Sequence, residues 1–132
     1  MDTEKLIEQA KSVIRARKNG DFTIGDVGCA LITDKSNVYL GVCIDTSSSM
    51  GFCAEHNAIG SMVTAGETRI KKIVAVWKDK KKGVFVMHPC GRCREFMRQI
   101  DKRNMEAEVI LGKNRVAKLK DLLPYKDDFS KV

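Results

Sequence analysis

Three cysteines and one carboxylate fall in two short blocks of the chain, Cys53-Ala54-Glu55 and Pro89-Cys90-Gly91-Arg92-Cys93. Cys90 and Cys93 stand three residues apart at an expected helix start. Side chains at that spacing share one helix face, so both sulfurs can meet one ion. Cys53 opens a second expected helix. If the two helix N-termini face each other, the three sulfurs converge, and the partial positive charge of each terminus favours thiolate. Zinc held by three protein ligands keeps a fourth position for water, which marks a catalytic site rather than a structural one. Three thiolates on Zn²⁺ leave a net negative site, so positive or hydrogen-bonding neighbours are needed to offset that charge.

Two other uses of these cysteines stand beside that one. Cys90-Gly91-Arg92-Cys93 alone matches a redox dithiol at a helix start, but this leaves Cys53-Ala54-Glu55 without a purpose. A closed structural zinc site needs a fourth ligand, for which Cys29, Cys43 and His88 are available. Cys29 and Cys43 fall in expected strands, and His88 is expected in a loop at the pocket edge.

The chain of 132 residues suits one domain, residues 1–132, with a single core. Its composition, 43% hydrophobic and 31% charged, is that of an ordinary globular protein. No apolar run approaches the ~20 residues needed to span a bilayer. The start Met1-Asp2-Thr3-Glu4-Lys5 is charged and has no apolar signal core, so a cytoplasmic protein is expected. Five cysteines cannot all pair internally, and in a reducing compartment metal binding or catalysis is the expected use. The net charge is +7, and Lys78, Lys80, Lys81 and Lys82 form the densest positive stretch. A solvated turn is the plain reading of that stretch, and a polyanion contact is the sharper one. No aromatic residues interleave these lysines as they do in platforms for single strands, so nucleic acid is not the expected partner.

Residues Thr3 to Lys18 carry helical spacing through Leu6, Ile7, Ala10, Val13 and Ile14, with Asn19-Gly20 as a stop. Strands are expected over Asp26 to Thr33 and Val38 to Asp45, joined by the turn Asp34-Lys35-Ser36-Asn37. After a Ser-rich loop, a helix runs from Cys53 to about Ala65, with Gly66 as its cap. Ile70 to Trp77 is a buried strand, and Val84 to Met87 is a short apolar run leading into Pro89-Cys90. A helix from Cys90 to about Asp101, a strand over Ala107 to Leu111 and a short helix over Lys118 to Leu123 complete the chain. Helices alternating with strands imply an α/β fold, one mixed sheet with helices on both faces.

Three-cysteine zinc coordination with a nearby non-ligand Glu is one signature of nucleobase deaminases. The motifs Cys53-Ala54-Glu55 and Pro89-Cys90-Gly91-Arg92-Cys93-Arg94 resemble those of the cytidine deaminase family, small type with three cysteine ligands. The resemblance covers most of the chain, including the tail Asp121-Leu122-Leu123-Pro124-Tyr125 and Phe129. It implies a three-layer α/β/α fold around a five-stranded sheet, and Zn²⁺ on Cys53, Cys90 and Cys93. It also implies a homotetramer, and Glu55 as the group that moves protons between water, the ring nitrogen and the leaving amine. Arg94 matches a family arginine near the zinc ligands, whereas His56 stands where an arginine that bonds ligand sulfurs is common. The family's sugar-binding Asn-x-Glu corresponds to Cys43-Ile44-Asp45, with Phe22 near its pocket phenylalanine and Ala54 beside the ring. Arg92 in the second motif resembles the blasticidin S deaminase branch. The implied activity is hydrolytic deamination of a free cytosine nucleoside, with a modified one such as blasticidin S as the alternative. A non-catalytic zinc-binding or nucleic-acid-binding module is the alternative of another class.

Overall fold

Along the strand β2, Phe22–Thr33, alternate side chains enter two different cores. Cys29 and Leu31 face one side of the sheet, and Ala30 and Ile32 face the other, as the two-residue period of a strand requires. A strand buried on both faces sits inside a sheet covered by two layers. The computed structural model, which describes residues 1–125 and 129–132, shows those layers. One is the helix α1, Thr3–Ser12, which packs Leu6 and Ala10 against Ala30, Ile32, Val74, Val76 and Ile110. The other holds α2, Ala54–Thr64, and α3, Gly91–Ile100, where Ile59, Met62 and Met97 meet Leu31, Ile73 and Val109.

The sheet has seven strands, where five were expected. Five of them are β2, β3 (Val38–Asp45), β4 (Ile70–Asp79), β5 (Gly83–Met87) and β6 (Glu108–Gly112). The additional two are β1, Arg17–Asn19, and β7, Arg115–Lys118, short exposed segments with no apolar pattern to announce them. Both pair with the preceding or following strand through tight turns. Pairing of β4 with β6 is parallel and every other pairing is antiparallel, so the sheet is mixed.

Two boundaries differ from expectation for one physical reason. Helix α1 ends at Ser12 rather than Lys18, and Asn19-Gly20 lies at a hairpin rather than a helix stop. Beyond Ile14 the segment Arg15–Lys18 offers no apolar face to bury. The chain therefore leaves the helix, Arg15 N–H donates to the Gly25 carbonyl at 2.9 Å, and Arg17 pairs with Ile24. Near the C-terminus, the expected helix over Lys118 to Leu123 is a 3₁₀ turn, Leu119–Leu122, with Leu119 buried.

Glycines set how closely the helices approach. A Cβ on Gly41 of β3 would lie 2.3 Å from the Ala58 nitrogen and 2.7 Å from the Ala54 carbonyl oxygen. The backbone of α2 thus rests directly on β3 at the turn that carries Glu55. Asn57 fixes the contact by donating from Nδ2 to the Val42 carbonyl at 3.1 Å.

Candidate active site

Cys53 and Cys90 occupy equivalent positions, each the N-cap of its helix in extended conformation. Neither helix has a side-chain cap bond, so both sulfurs are free to face outward from a positive helix end. Two contacts bring them together. The Ser-rich loop returns to the sheet through paired bonds of 3.0 Å between Ile44 and Phe52, which sets Cys53 beside the end of β3. Strand β5 runs into Pro89, whose carbonyl accepts from Arg94 Nε at 2.8 Å, and that bond fixes the turn before Cys90.

The resulting sulfur separations are 3.8 Å for Cys53–Cys90 and 3.5 Å for Cys90–Cys93. All three sulfurs lie within 4.8 Å of one another. Tetrahedral zinc, with Zn–S of ~2.3 Å, spaces its sulfurs about 3.8 Å apart. The cluster therefore fits Zn²⁺. Burial pushes the Cys93 and Cys53 thiols up from their ordinary values, and for Cys93 the Glu55 charge adds to it. Burial also acts to raise Cys90. The backbone N–H groups of Cys93 and Arg92 and the neighbouring thiols outweigh it and leave that thiol lowered.

Glu55, the second residue of α2, is 6% exposed and lines the same pocket as Cys53 and Cys90. Burial raises its carboxyl above the ordinary range, against its own backbone N–H and the Cys93 thiol. His56 Nδ1 lies 3.3 Å from Cys93 Sγ, and its ring stacks on Phe96 with centroids 4.4 Å apart. Burial, then the charge of Arg92, lowers the His56 pKa and favours the neutral ring. Arg94 does not turn toward a sulfur in any hydrogen bond among the described residues. It donates to the Pro89 carbonyl and, from Nη1 at 3.1 Å, to the Leu122 carbonyl, which ties the C-terminal segment to the Cys90 turn.

The pocket has a volume of about 430 Å³. Cys53, Glu55 and Cys90 form one end, with Ala54 beside them. Cys43, Asp45 and Asp26, whose polar atoms lie within 4.8 Å of one another, form the other with Val27, and Trp77, Met87 and His88 complete the lining. Cys43 is buried, donates to Asp26 Oδ1 at 2.9 Å and accepts from Val27 N–H at 3.4 Å. Burial and the bond to Asp26 push its thiol up to about 11. Phe22 is outside this lining: it starts β2 opposite Asn19, 39% exposed. Asp26 and Trp77 were missed as pocket residues. The signal for Asp26 lay in register, because the bulge in β2 between Ile24 and Gly28 turns that stretch toward the end of β3. Cys29 is fully buried in the core, and His88 holds the Leu111 carbonyl at 3.2 Å, so neither reaches the sulfur cluster in a described contact.

Known proteins resemble this chain in sequence and in fold. The sequence pattern of the cytidine and deoxycytidylate deaminase zinc-binding region matches residues 1–109. A cytidine deaminase of Mycoplasma genitalium is 32% identical over 96 residues, covering 72% of this chain and 70% of that protein. The crystal structure of cytidine deaminase from Burkholderia pseudomallei superimposes with a TM-score of 0.74 at 30% identity, over 95% of this chain and 98% of that one. Cytidine deaminase from Mycobacterium tuberculosis, 24% identical with a TM-score of 0.76 over 98% and 99% of the two chains, shares the fold. The chain belongs to the cytidine and deoxycytidylate deaminase zinc-binding family and is a zinc-dependent deaminase.

Proposed function

We propose that this protein deaminates the cytosine ring of a free nucleoside such as cytidine or deoxycytidine. The reaction takes up water, releases ammonia and leaves the uracil product. The observation that carries the proposal is the meeting of three thiols, at separations of 3.5 and 3.8 Å, with a buried carboxylate at one end of a pocket. We assign Cys53, Cys90 and Cys93 as the zinc ligands. Zn²⁺ bound there supplies the Lewis acidity that lowers the pKa of water toward neutrality. Glu55 accepts a proton from water and delivers it to ring nitrogen N3, then carries the remaining proton from the new C4 hydroxyl to the departing amine, and so serves as general base and general acid in turn. His56 Nδ1, directed at Cys93, donates a bond that reduces the negative charge on the sulfurs, and Phe96 holds its ring in place.

The sugar falls against Cys43, Asp26 and Asp45. A thiol is a weak donor and acceptor, so ribose hydroxyls find fewer good partners here than an amide side chain would give. That feature, with Arg92 in the second motif, favours a second reading in which a modified cytosine nucleoside such as blasticidin S is the preferred substrate. The protein acts as one domain over residues 1–132, as a homotetramer and in the cytoplasm. The experiment is ammonia release from cytidine, deoxycytidine and blasticidin S, by wild type and by the pair Cys43→Asn with Asp45→Glu. The pair should raise kcat/KM on cytidine by about tenfold, since poorly partnered buried hydroxyls cost ~1–3 kcal/mol. No ammonia from any cytosine compound would refute the assignment.

A further inference from the structure

A second cavity adjoins the active-site pocket. Asp26 and Trp77, which line that pocket, also line this cavity of about 460 Å³. That cavity is bordered by Arg17, Lys18, Lys78, Lys80 and Lys81. The fold explains why two basic segments far apart in sequence meet there. Strand β1 pairs with β2 at residues 22–24, and β4 pairs with β2 from Val27 onward, with Trp77 opposite Val27. Strand β3 pairs with both of these stretches of β2, at residues 23–24 and 28–32, and therefore takes the other edge. Strands β1 and β4 thus lie end to end along one edge of β2, and their basic ends face each other across the bulge beside Asp26.

No ion pair reaches Lys18, Lys78, Lys80 or Lys81 among the described residues. Asp79 shares the cavity lining with Asp26, and its Oδ1 is engaged by the turn, where it accepts from the backbone N–H groups of Lys81 at 2.7 Å and Lys82 at 3.0 Å. Arg17 Nη1 donates to the Arg15 carbonyl, a neutral acceptor, at 3.1 Å.

We propose that this basic groove is a subsite for the phosphate tail of a cytosine nucleotide, extended beyond the sugar and past Trp77. The inference rests on the deaminase reading for where the ring sits. Asp26 and Asp45 at the sugar accept bonds from hydroxyls but repel a phosphate held close to them. The groove therefore favours a tail long enough to carry its charge beyond them, a 5′-diphosphate over a 5′-monophosphate. Exposed charge pairs contribute about 1.4- to fivefold in affinity each, so three lysines give about threefold to a hundredfold, with about tenfold in the middle of that range.

Trp77 is the single tryptophan of the chain and stands at the junction, so its emission reports both cavities. Zinc-loaded protein carrying Glu55→Gln, which holds ligands without turnover, is titrated with cytidine, cytidine 5′-monophosphate and cytidine 5′-diphosphate. The diphosphate should bind about tenfold more tightly than cytidine at low salt, and the advantage should shrink as salt rises. Combining Lys78→Ala, Lys80→Ala and Lys81→Ala should remove most of it, with circular dichroism checking the fold. Equal affinity for cytidine and the diphosphate, or an advantage that survives the triple variant, would overturn the proposal. Tighter binding of a cytosine oligonucleotide than of the diphosphate would overturn it too, in favour of a nucleic-acid groove. Ammonia release by wild type is read in parallel. Cytidine turnover with no diphosphate advantage removes the groove and leaves the deaminase reading. A diphosphate advantage with no ammonia from any cytosine compound does the reverse.

Discussion

Glu55 carries the chemical proposal, and its surroundings say what replacing it will do. It is buried at the N-terminal turn of α2 and contributes no atom to the sulfur cluster. Glu55→Gln keeps the shape and removes the proton acceptor. Zinc content should stay at one per chain while kcat falls by ~10²- to 10⁴-fold, the usual contribution of general acid–base catalysis. Metal analysis and ammonia release on the same preparation check this, and turnover within about tenfold of wild type would remove Glu55 from the role. At this scale much of the site was legible. The two motif blocks named the three sulfurs and the carboxylate, because each block sits at a helix start and position alone fixes where its side chains go. Asp26, Trp77 and the stack of Phe96 on His56 were not legible. Asp26 and Trp77 reach the pocket through a strand bulge and a strand pairing, and the stack beside Cys93 forms where two helices meet; none of these has a local pattern.

Helix α2 delivers Cys53 and Glu55 only because β3 lets its backbone come close. Gly41→Ala would place a methyl 2.3 Å from a backbone nitrogen that belongs to the helix. Overpacking of this kind costs ~1–3 kcal/mol, a fall in Tm of about 4–11 °C for a chain of this size. Zinc affinity should fall with it, since the displaced helix carries a ligand. Gly60, in the same helix, has open space where its Cβ would go, and Gly60→Ala should raise stability or leave it unchanged. Calorimetry and a competitive chelator separate the two outcomes, and a neutral Gly41→Ala would show that α2 is not seated on β3 as described. Strands β1 and β7 escaped sequence reading because they are only three and four residues long, mostly exposed, and are held chiefly by backbone pairing. The long strands and the three helices were legible, since each buries an apolar face with the right period.

For the molecule as a whole, acid stability and assembly follow from particular groups. Asp101, after α3, accepts from the Arg103 side chain at 2.7 and 3.0 Å and from Thr68 Oγ1 at 2.9 Å. The bond from Arg103 comes first among the causes that hold its carboxyl down to about 2, from an ordinary 3.8. A depressed carboxylate stabilises the fold above its unfolded pKa, and that contribution is lost as pH falls toward the folded value. Asp101→Asn should therefore be less stable than wild type at pH 7, with the gap closing between about pH 4 and pH 2. Denaturant midpoints across that range check it, and a gap that stays constant with pH would contradict the ionic origin.

Tyr125 is 99% exposed and Phe129 is fully exposed, and residues 126–128 between them lie outside the described chain. Val84, Phe85 and Met87 on β5 are also exposed, next to the pocket wall. These apolar groups are what the proposed tetramer would cover. Light scattering should give four times the mass of one chain at micromolar concentration, and a stable monomer would reject it.

The central claim is a zinc site with three cysteine ligands and a position left for water. X-ray absorption at the zinc edge of the purified protein counts those ligands directly. Three sulfurs at ~2.3 Å and one oxygen at ~2.0 Å are expected. Four sulfurs, or a fourth ligand from histidine, would show a closed structural site and contradict the claim.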